Sequence, residues 1–369
     1  MKIIHCADLH LDSKMTSNLD RAKAKERRSE LLNTFVRMVD YAVEHGISAI
    51  LIAGDMFDTG TISALTRNTV RDKIFGNPGI DFYYLKGNHD RDSFLSSLEE
   101  MPDNLRLFGD EWRSYPLNDD SSVILTGIEL SADNSAGCFN SLVLDPDTVN
   151  IVMLHGQETD TAAVSTGDRA EIIPLRELKN KNIDYLALGH IHSYKEERLD
   201  GRGVYCYPGC LEGRGFDETG EHGFVLLDID KDAHRIERTF VPFAARRLYE
   251  VPVDITDLNS TGDIIDKITM TLSGQDIDSG SMLKIVLTGY ADIEMEKDED
   301  HIYKNFEDRF YYVKISDETR YKVDYSDYVL DASLKGEYVR MIQAAEDIAD
   351  ADKSEVIRMG LMAIAGEDI

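Results

Sequence analysis

The stretch "KIIHCADLH", residues 2–10, is a short apolar run that stops abruptly in metal-ligand-type side chains. Four later stretches repeat the theme: "SAILIAGD" (48–55), "DFYYLKGNHD" (81–90), "NIVMLHG" (150–156) and "DYLALGHIH" (184–192). Short runs of Ile, Val, Leu and Tyr bounded by polar residues read as buried strands. Between the first two, "RRSELLNTFVRMVDYAVEHG" sets Leu31, Leu32, Phe35, Val39, Ala42 and Val43 at helical spacing, and Gly46 suits the position just past a helix end. Strand–helix–strand alternation implies parallel pairing and an α/β layered domain. Ligands in such sheets gather at the carboxyl ends of strands, so five polar clusters are predicted to converge on one rim.

At 369 residues the chain is long enough for two or three domains. With 42% apolar and 30% charged residues it has the composition of a soluble globular protein, and no apolar run reaches the length of a membrane helix. "MKIIHCADLHLD" has no signal-peptide core. Cys6, Cys138, Cys206 and Cys210 lack CxxC spacing, as reduced thiols would. A cytoplasmic location is expected. Forty Lys and Arg stand against 69 Asp and Glu, for a net charge of −29. Such a surface repels phosphate backbones at long range, so an anionic substrate must be drawn in by bound cations or a basic patch.

After residue 200 the pattern changes. "GVYCYPG" (203–209) and residues 222–243 read as antiparallel strands with a turn near Asp230–Ala233. Residues 248–318 alternate strand and amphipathic helix without ligand clusters, and the chain ends in helical periodicity. The predicted divisions are a domain over 1–245, a small α+β domain over 246–330 and a helical segment over 331–369.

The strand ends supply Asp8 and His10, Asp55 and Asp58, Asn88, His89 and Asp90, His155, and His190 with His192. Carboxylate, amide and imidazole donors form a mixed set suited to Mn²⁺, Fe²⁺ or Zn²⁺. In a strand, residues i and i+2 share a face, so D-x-H and H-x-H should each aim two donors into one space. The donors exceed what one ion takes, and two ions sharing a carboxylate is the economical arrangement. Two such cations generate hydroxide and clamp an in-line displacement at phosphorus. His5, inside the first run, reads as a core histidine, and His45, His222, His234 and His301 as structural.

D-x-H (Asp8, His10), G-D-x-x-D (Gly54, Asp55, Asp58), G-N-H-D (Gly87 to Asp90), H-G (His155, Gly156) and G-H-x-H (Gly189, His190, His192) stand in order over residues 8–192. Together they resemble the calcineurin-like metallophosphoesterase superfamily. The resemblance implies a two-sheet β-sandwich flanked by helices, with a dinuclear centre at one edge. Asp8, His10, Asp55 and His192 would hold the first metal. Asp55, Asn88, His155 and His190 would hold the second, with Asp55 bridging. His89 would contact the phosphate and protonate the leaving oxygen, and Asp58 would orient it. "ADLHLD", "AGDMFD" and "YPGCLEGRGFDETGEHGFVLLDID" further resemble the SbcD-like branch of DNA repair nucleases, with Cys210 where that branch more usually has Ser. The branch implies that 246–330 is a capping domain and that 331–369 docks on an SbcC-like coiled-coil ATPase; a homodimer is left open.

The function expected is metal-dependent phosphodiester hydrolysis of DNA by a bridging hydroxide, as exonuclease or endonuclease, with manganese as the first choice of metal. A small-substrate phosphatase or cyclic-nucleotide phosphodiesterase would share every ligand, and a regulatory subunit with a vestigial site is the non-enzymatic reading. Lys14, Arg91, Lys195 and Arg214 are candidate contacts to DNA near the site, with an ordinary solvated surface charge as the alternative reading of each.

Overall fold

In β1 (Lys2–Cys6) successive side chains serve different layers: Ile3 faces a second sheet, while Ile4 and Cys6 face a helical layer. The computed structural model describes residues 1–15, 19–58, 62–88, 90, 94–98, 100–135, 137–160, 172–292, 295, 297–322, 328 and 330–365. The chain forms two compact units, Met1–Arg247 and Leu248–Ile369.

After β1 the first unit continues through α1 (Arg21–Glu44), β2 (Ala49–Ala53), α2 (Ala64–Phe75), β3 (Asp81–Leu85), β4 (Leu105–Leu107), β5 (Arg113–Pro116), β6 (Val123–Gly127) and α3 (Cys138–Ser141). It then runs through β7 (Val149–His155), β8 (Gln157–Thr159), β9 (Ile172–Pro174), α4 (Leu175–Leu178), β10 (Tyr185–Gly189), β11 (Lys195–Arg198), β12 (Val204–Tyr207), β13 (Gly223–Asp230) and β14 (Arg235–Pro242). All five quoted runs are strands. They fall into two six-stranded mixed sheets, ordered β14-β13-β1-β2-β3-β4 and β11-β12-β10-β7-β6-β5. Strands β1 to β4 pair in parallel, as do β12, β10, β7 and β6, while β13, β14, β11 and β5 run antiparallel at the edges. The sheets pack face to face through Ile3, Leu51, Leu125, Ile151, Met153 and Tyr185. Phe35 and Val39 of α1 and Val70 and Ile74 of α2 cover the outer face of the first sheet. Each fully buried Phe, Val or Ile of this kind contributes about 1.5–3 kcal/mol. Phe139, Leu175 and Leu178 cover the second. This is the two-sheet sandwich flanked by helices.

Asp20 starts α1 by accepting hydrogen bonds from the Ala22 and Lys23 amides. Beyond its end Gly46 takes a left-handed φ of 63°, as its place in the sequence predicts. His5 is fully buried between the sheets, where Nδ1 meets the Tyr185 hydroxyl at 2.8 Å. Burial pushes its imidazole down to about 3, so it sits in the core as a neutral ring.

The second unit holds β15 (Leu248–Asp254), α5 (Thr261–Ser273), β16 (Met282–Thr288), β17 (Tyr290–Asp292), α6 (Glu299–Phe306), β18 (Tyr312–Asp317), β19 (Arg320–Lys322), α7 (Leu334–Ala344) and α8 (Asp350–Ala365). Strands β15, β16 and β18 form a parallel sheet, covered by Ile264 and Ile268 of α5 and Ile302 and Phe306 of α6. Helices α7 and α8 pack on each other through Val339, Ile342, Ile357 and Leu361. Among the described residues no helix is long and apolar enough to cross a membrane.

Candidate metal centre

The donors converge, but by a different local geometry from the one strand alternation predicts. Strand β1 ends at Cys6 and β10 at Gly189, so Asp8, His10, His190 and His192 all lie beyond the pleat. Asp8 (φ 51°), His10 (φ 43°), Asp55 (φ 49°) and His190 (φ 107°) take left-handed backbone conformations instead. Each such non-glycine residue costs on the order of 1–3 kcal/mol and persists only where its surroundings enforce it. Here the Asp8 amide donates to Gly54 O (3.1 Å), the His10 amide to Asp55 O (2.9 Å), and the His190 amide to both Asp8 carboxylate oxygens (3.0 Å each). The turns after β1, β2 and β10 are thereby zipped together.

Two donor groups result, Asp8 with His10 and His192, and Asp8 with Asp55 and His155, each with its ligand atoms within 4.8 Å of one another. Asp55 Oδ2 lies 3.9 Å from His10 Nε2 and 3.4 Å from His155 Nε2, so both carboxylates border both groups. Asn88 Oδ1 lies 3.1 Å from His155 Nε2, and the His190 ring stands at right angles to that of His155, 5.5 Å away. His89 and Arg91 lie outside the described residues.

Three of the imidazoles are oriented in the same way. His10 Nδ1 faces Asp58 at 3.2 Å, His192 Nδ1 faces Glu218 at 2.6 Å, and His155 Nδ1 faces the Ala53 carbonyl at 2.9 Å. Where Nδ1 donates to such an oxygen, as His155 does to the Ala53 carbonyl, Nε2 is left to face the cluster as a ligand atom. His10 Nε2 and His192 Nε2 face each other across 3.2 Å, close enough to serve one cation. Asp8 and Asp55 are each only 1% exposed, and imidazoles and a backbone amide face them. Buried carboxylates in such company call for positive charge. Burial works against charging His155, yet Asp55 and Asp8 overcome it and push its pKa up to about 9. A divalent cation supplies that same compensation, and the donor set fits one.

Glu218 and Arg214 were not readable as parts of this site. Arg214 donates to Glu218 Oε1 (2.8 Å) and to Asp58 Oδ1 (3.1 Å), tying together the two carboxylates that orient His192 and His10. Burial opposes the charge on Glu218, but His192 and Arg214 hold its carboxyl well below the usual range. Arg214, a candidate nucleic-acid contact in the sequence, is ion-paired with two carboxylates. Lys195 is likewise paired, with Glu158 at 2.7 Å, whereas Lys14 is exposed. Asp58 meets His10 and Arg214, and its expected partner His89 lies outside the described residues. Asp90 holds the third motif to the second, accepting from the Met56 (3.2 Å), Phe57 (2.9 Å) and Gly87 (3.0 Å) amides. Glu218→Gln is expected to weaken Mn²⁺ binding by about 10–100-fold in calorimetric titration. Unchanged affinity would remove Glu218 from the site.

Two glycines are required by close approach. A Cβ on Gly54 would sit 2.1 Å from His155 Nδ1, and its φ is 93°. A Cβ on Gly87 would sit 2.3 Å from Asp55 Oδ1. Gly54→Ala is expected to displace the His155 ring and lower metal affinity by about 10-fold or more, with far-UV circular dichroism unchanged. Full metal affinity in that variant would contradict the placement of His155.

A sequence profile of the calcineurin-like phosphoesterase family matches residues 1–194. The chain belongs to that family. Calcineurin-like phosphoesterases are hydrolases with a dinuclear divalent metal centre, and the donor groups lie within the matched region. Among curated relatives, this phosphoesterase is similar to the uncharacterized metallophosphoesterase YhaO of Bacillus subtilis, 29% identical over 241 residues, 62% of this chain and 57% of that protein. It is also similar to the DNA double-strand break repair protein Mre11 of Aeropyrum pernix, 25% identical over 295 residues, 72% of this chain and 66% of that one. Mre11 of Sulfolobus acidocaldarius is 22% identical over 319 residues, 80% of this chain and 77% of that one. The chain thus spans less than two thirds of the length of the first two relatives.

Proposed function

We propose that this phosphoesterase is a DNA repair nuclease that hydrolyses phosphodiesters. The observation that carries the hydrolytic part is the inward turn of three Nε2 atoms, on His10, His155 and His192, onto the buried carboxylates Asp8 and Asp55. Similarity to proteins named for DNA double-strand break repair supports DNA as substrate.

Asp8, His10, Asp55 and His192 would hold one cation, and Asp55, Asn88, His155 and His190 the other. Two divalent cations, when bound, supply an activated water and charge compensation for the phosphoryl oxygens. Asp58 and Glu218 face Nδ1 of His10 and His192, and Arg214 donates to both carboxylates. His89 donates a proton to the departing ribose oxygen. The mixed donors suit Mn²⁺, Fe²⁺ or Zn²⁺, with Mn²⁺ our choice. Residues 331–369 dock a coiled-coil ATPase, a role to which the exposed Leu334 and Met341 of α7 lend support. Four free, buried cysteines support a reducing, cytoplasmic setting.

The test is a substrate panel with Mn²⁺: nitrophenyl phosphate, bis(nitrophenyl) phosphate, linear duplex and single-stranded DNA. Turnover of the diester and of DNA is expected. Rapid hydrolysis of the monoester with intact DNA would make the protein a small-substrate phosphatase.

A further inference from the structure

Beside the donor cluster lies a groove of about 560 Å³ whose lining includes Lys14, Lys25, Arg28, Leu32, Ile62 and Leu65. In a chain of net charge −29, several cations of this unit are neutralised: Arg27 by Glu30 and Glu212, Arg214 by Glu218 and Asp58, Lys195 by Glu158. Among the described residues Lys14, Lys25 and Arg28 have no ion-pair partner. Lys25, Arg28 and Leu32 follow one another at helical spacing along one side of α1. Lys14 comes from the turn that carries His10, whose carbonyl accepts the Ser13 amide at 3.1 Å. The acidic residue of the groove is engaged: Asp12 accepts from the Ser63 amide and from Thr66 Oγ1, which fastens the start of α2 to the same turn. The segment from His10 to Lys14 therefore connects the donor cluster to the groove, whose lining begins at Asp12.

We propose that this groove carries the backbone of a single nucleic-acid strand flanking the phosphate that is cut, a reading that rests on the nuclease assignment. Three unpaired cations match a row of phosphates, which a small ester held at the donor cluster does not possess. Leu65, at 69% exposure in the same lining, offers apolar contact to unstacked bases. A duplex keeps its bases stacked inside, whereas a single strand presents them together with its phosphates. An overall acidic surface repels nucleic acid elsewhere, so the groove also sets where the strand enters.

The test compares wild type with the triple variant Lys14→Gln, Lys25→Gln, Arg28→Gln. The probe is a fluorescein-labelled phosphorothioate oligothymidylate, followed by anisotropy with Mn²⁺ between 50 and 200 mM salt. The triple variant is expected to bind about 10-fold or more weakly at the lowest salt, with a slope of log K against log salt shallower by about 2, since each single-strand phosphate contact contributes roughly 0.7. Hydrolysis of bis(nitrophenyl) phosphate serves as the reference and should stay within about twofold, the ordinary scatter of a surface change. Equal affinity and slope in both proteins, or no binding by wild type, overturns the groove. Wild type that binds the strand through these cations, hydrolyses the small diester and leaves unmodified DNA intact keeps the groove and sinks the nuclease reading.

Discussion

Asp55→Ala is expected to leave a folded chain that purifies nearly free of divalent metal and hydrolyses bis(nitrophenyl) phosphate at less than about one thousandth of the wild-type rate, a loss near 4 kcal/mol of transition-state stabilisation. The expectation follows from where the carboxylate sits. Asp55 Oδ2 lies within 4 Å of both His10 Nε2 and His155 Nε2, so its removal takes a donor from one group and a bordering carboxylate from the other. Metal content by plasma mass spectrometry, read beside circular dichroism, separates this outcome from unfolding. Two equivalents of metal retained by Asp55→Ala would rule out Asp55 as a shared carboxylate.

His89→Ala is expected to do the opposite, keeping both metals while DNA cleavage falls by about 10²–10⁴-fold. A general acid matters in proportion to how badly the leaving group needs its proton. A ribose alkoxide is a poor leaving group, whereas a nitrophenolate departs unaided. The loss on bis(nitrophenyl) phosphate should therefore be smaller than the loss on DNA, by at least about tenfold. An equal loss on both substrates would assign His89 to phosphate binding alone, and full activity on DNA would remove it from the mechanism.

Much of this architecture is legible in the sequence because its strands are strongly apolar and end in recognisable donors. "KIIHCADLH" yields β1 and two donors together, and the same holds for the runs ending at Asp55, Asn88, His155 and His192. Strands β4 and β5 are short and partly exposed, and none of β4, β5 and β6 ends in a donor cluster, so the sequence carries no comparable signal for them. The direction of the donors was misread for a physical reason. Alternation applies only within a strand, and Asp8 and His10 lie past its end, in left-handed turns that no periodicity announces. The outer carboxylate of His192 is Glu218, 26 residues further on in irregular backbone, and such pairing is a tertiary fact. Arg214 looked like a surface cation for the same reason, because the sequence does not place Asp58 and Glu218 on either side of it.

The central claim is that His190 and His192, two residues apart, serve two different cations. Crystals grown with Mn²⁺ and measured at the manganese absorption edge test it most directly. Wild type should show two anomalous peaks, one among Asp8, His10 and His192 and one among Asp55, Asn88 and His155. His192→Ala should erase the first and His190→Ala the second. A single peak in wild type, or the loss of the same peak in both variants, would contradict the account.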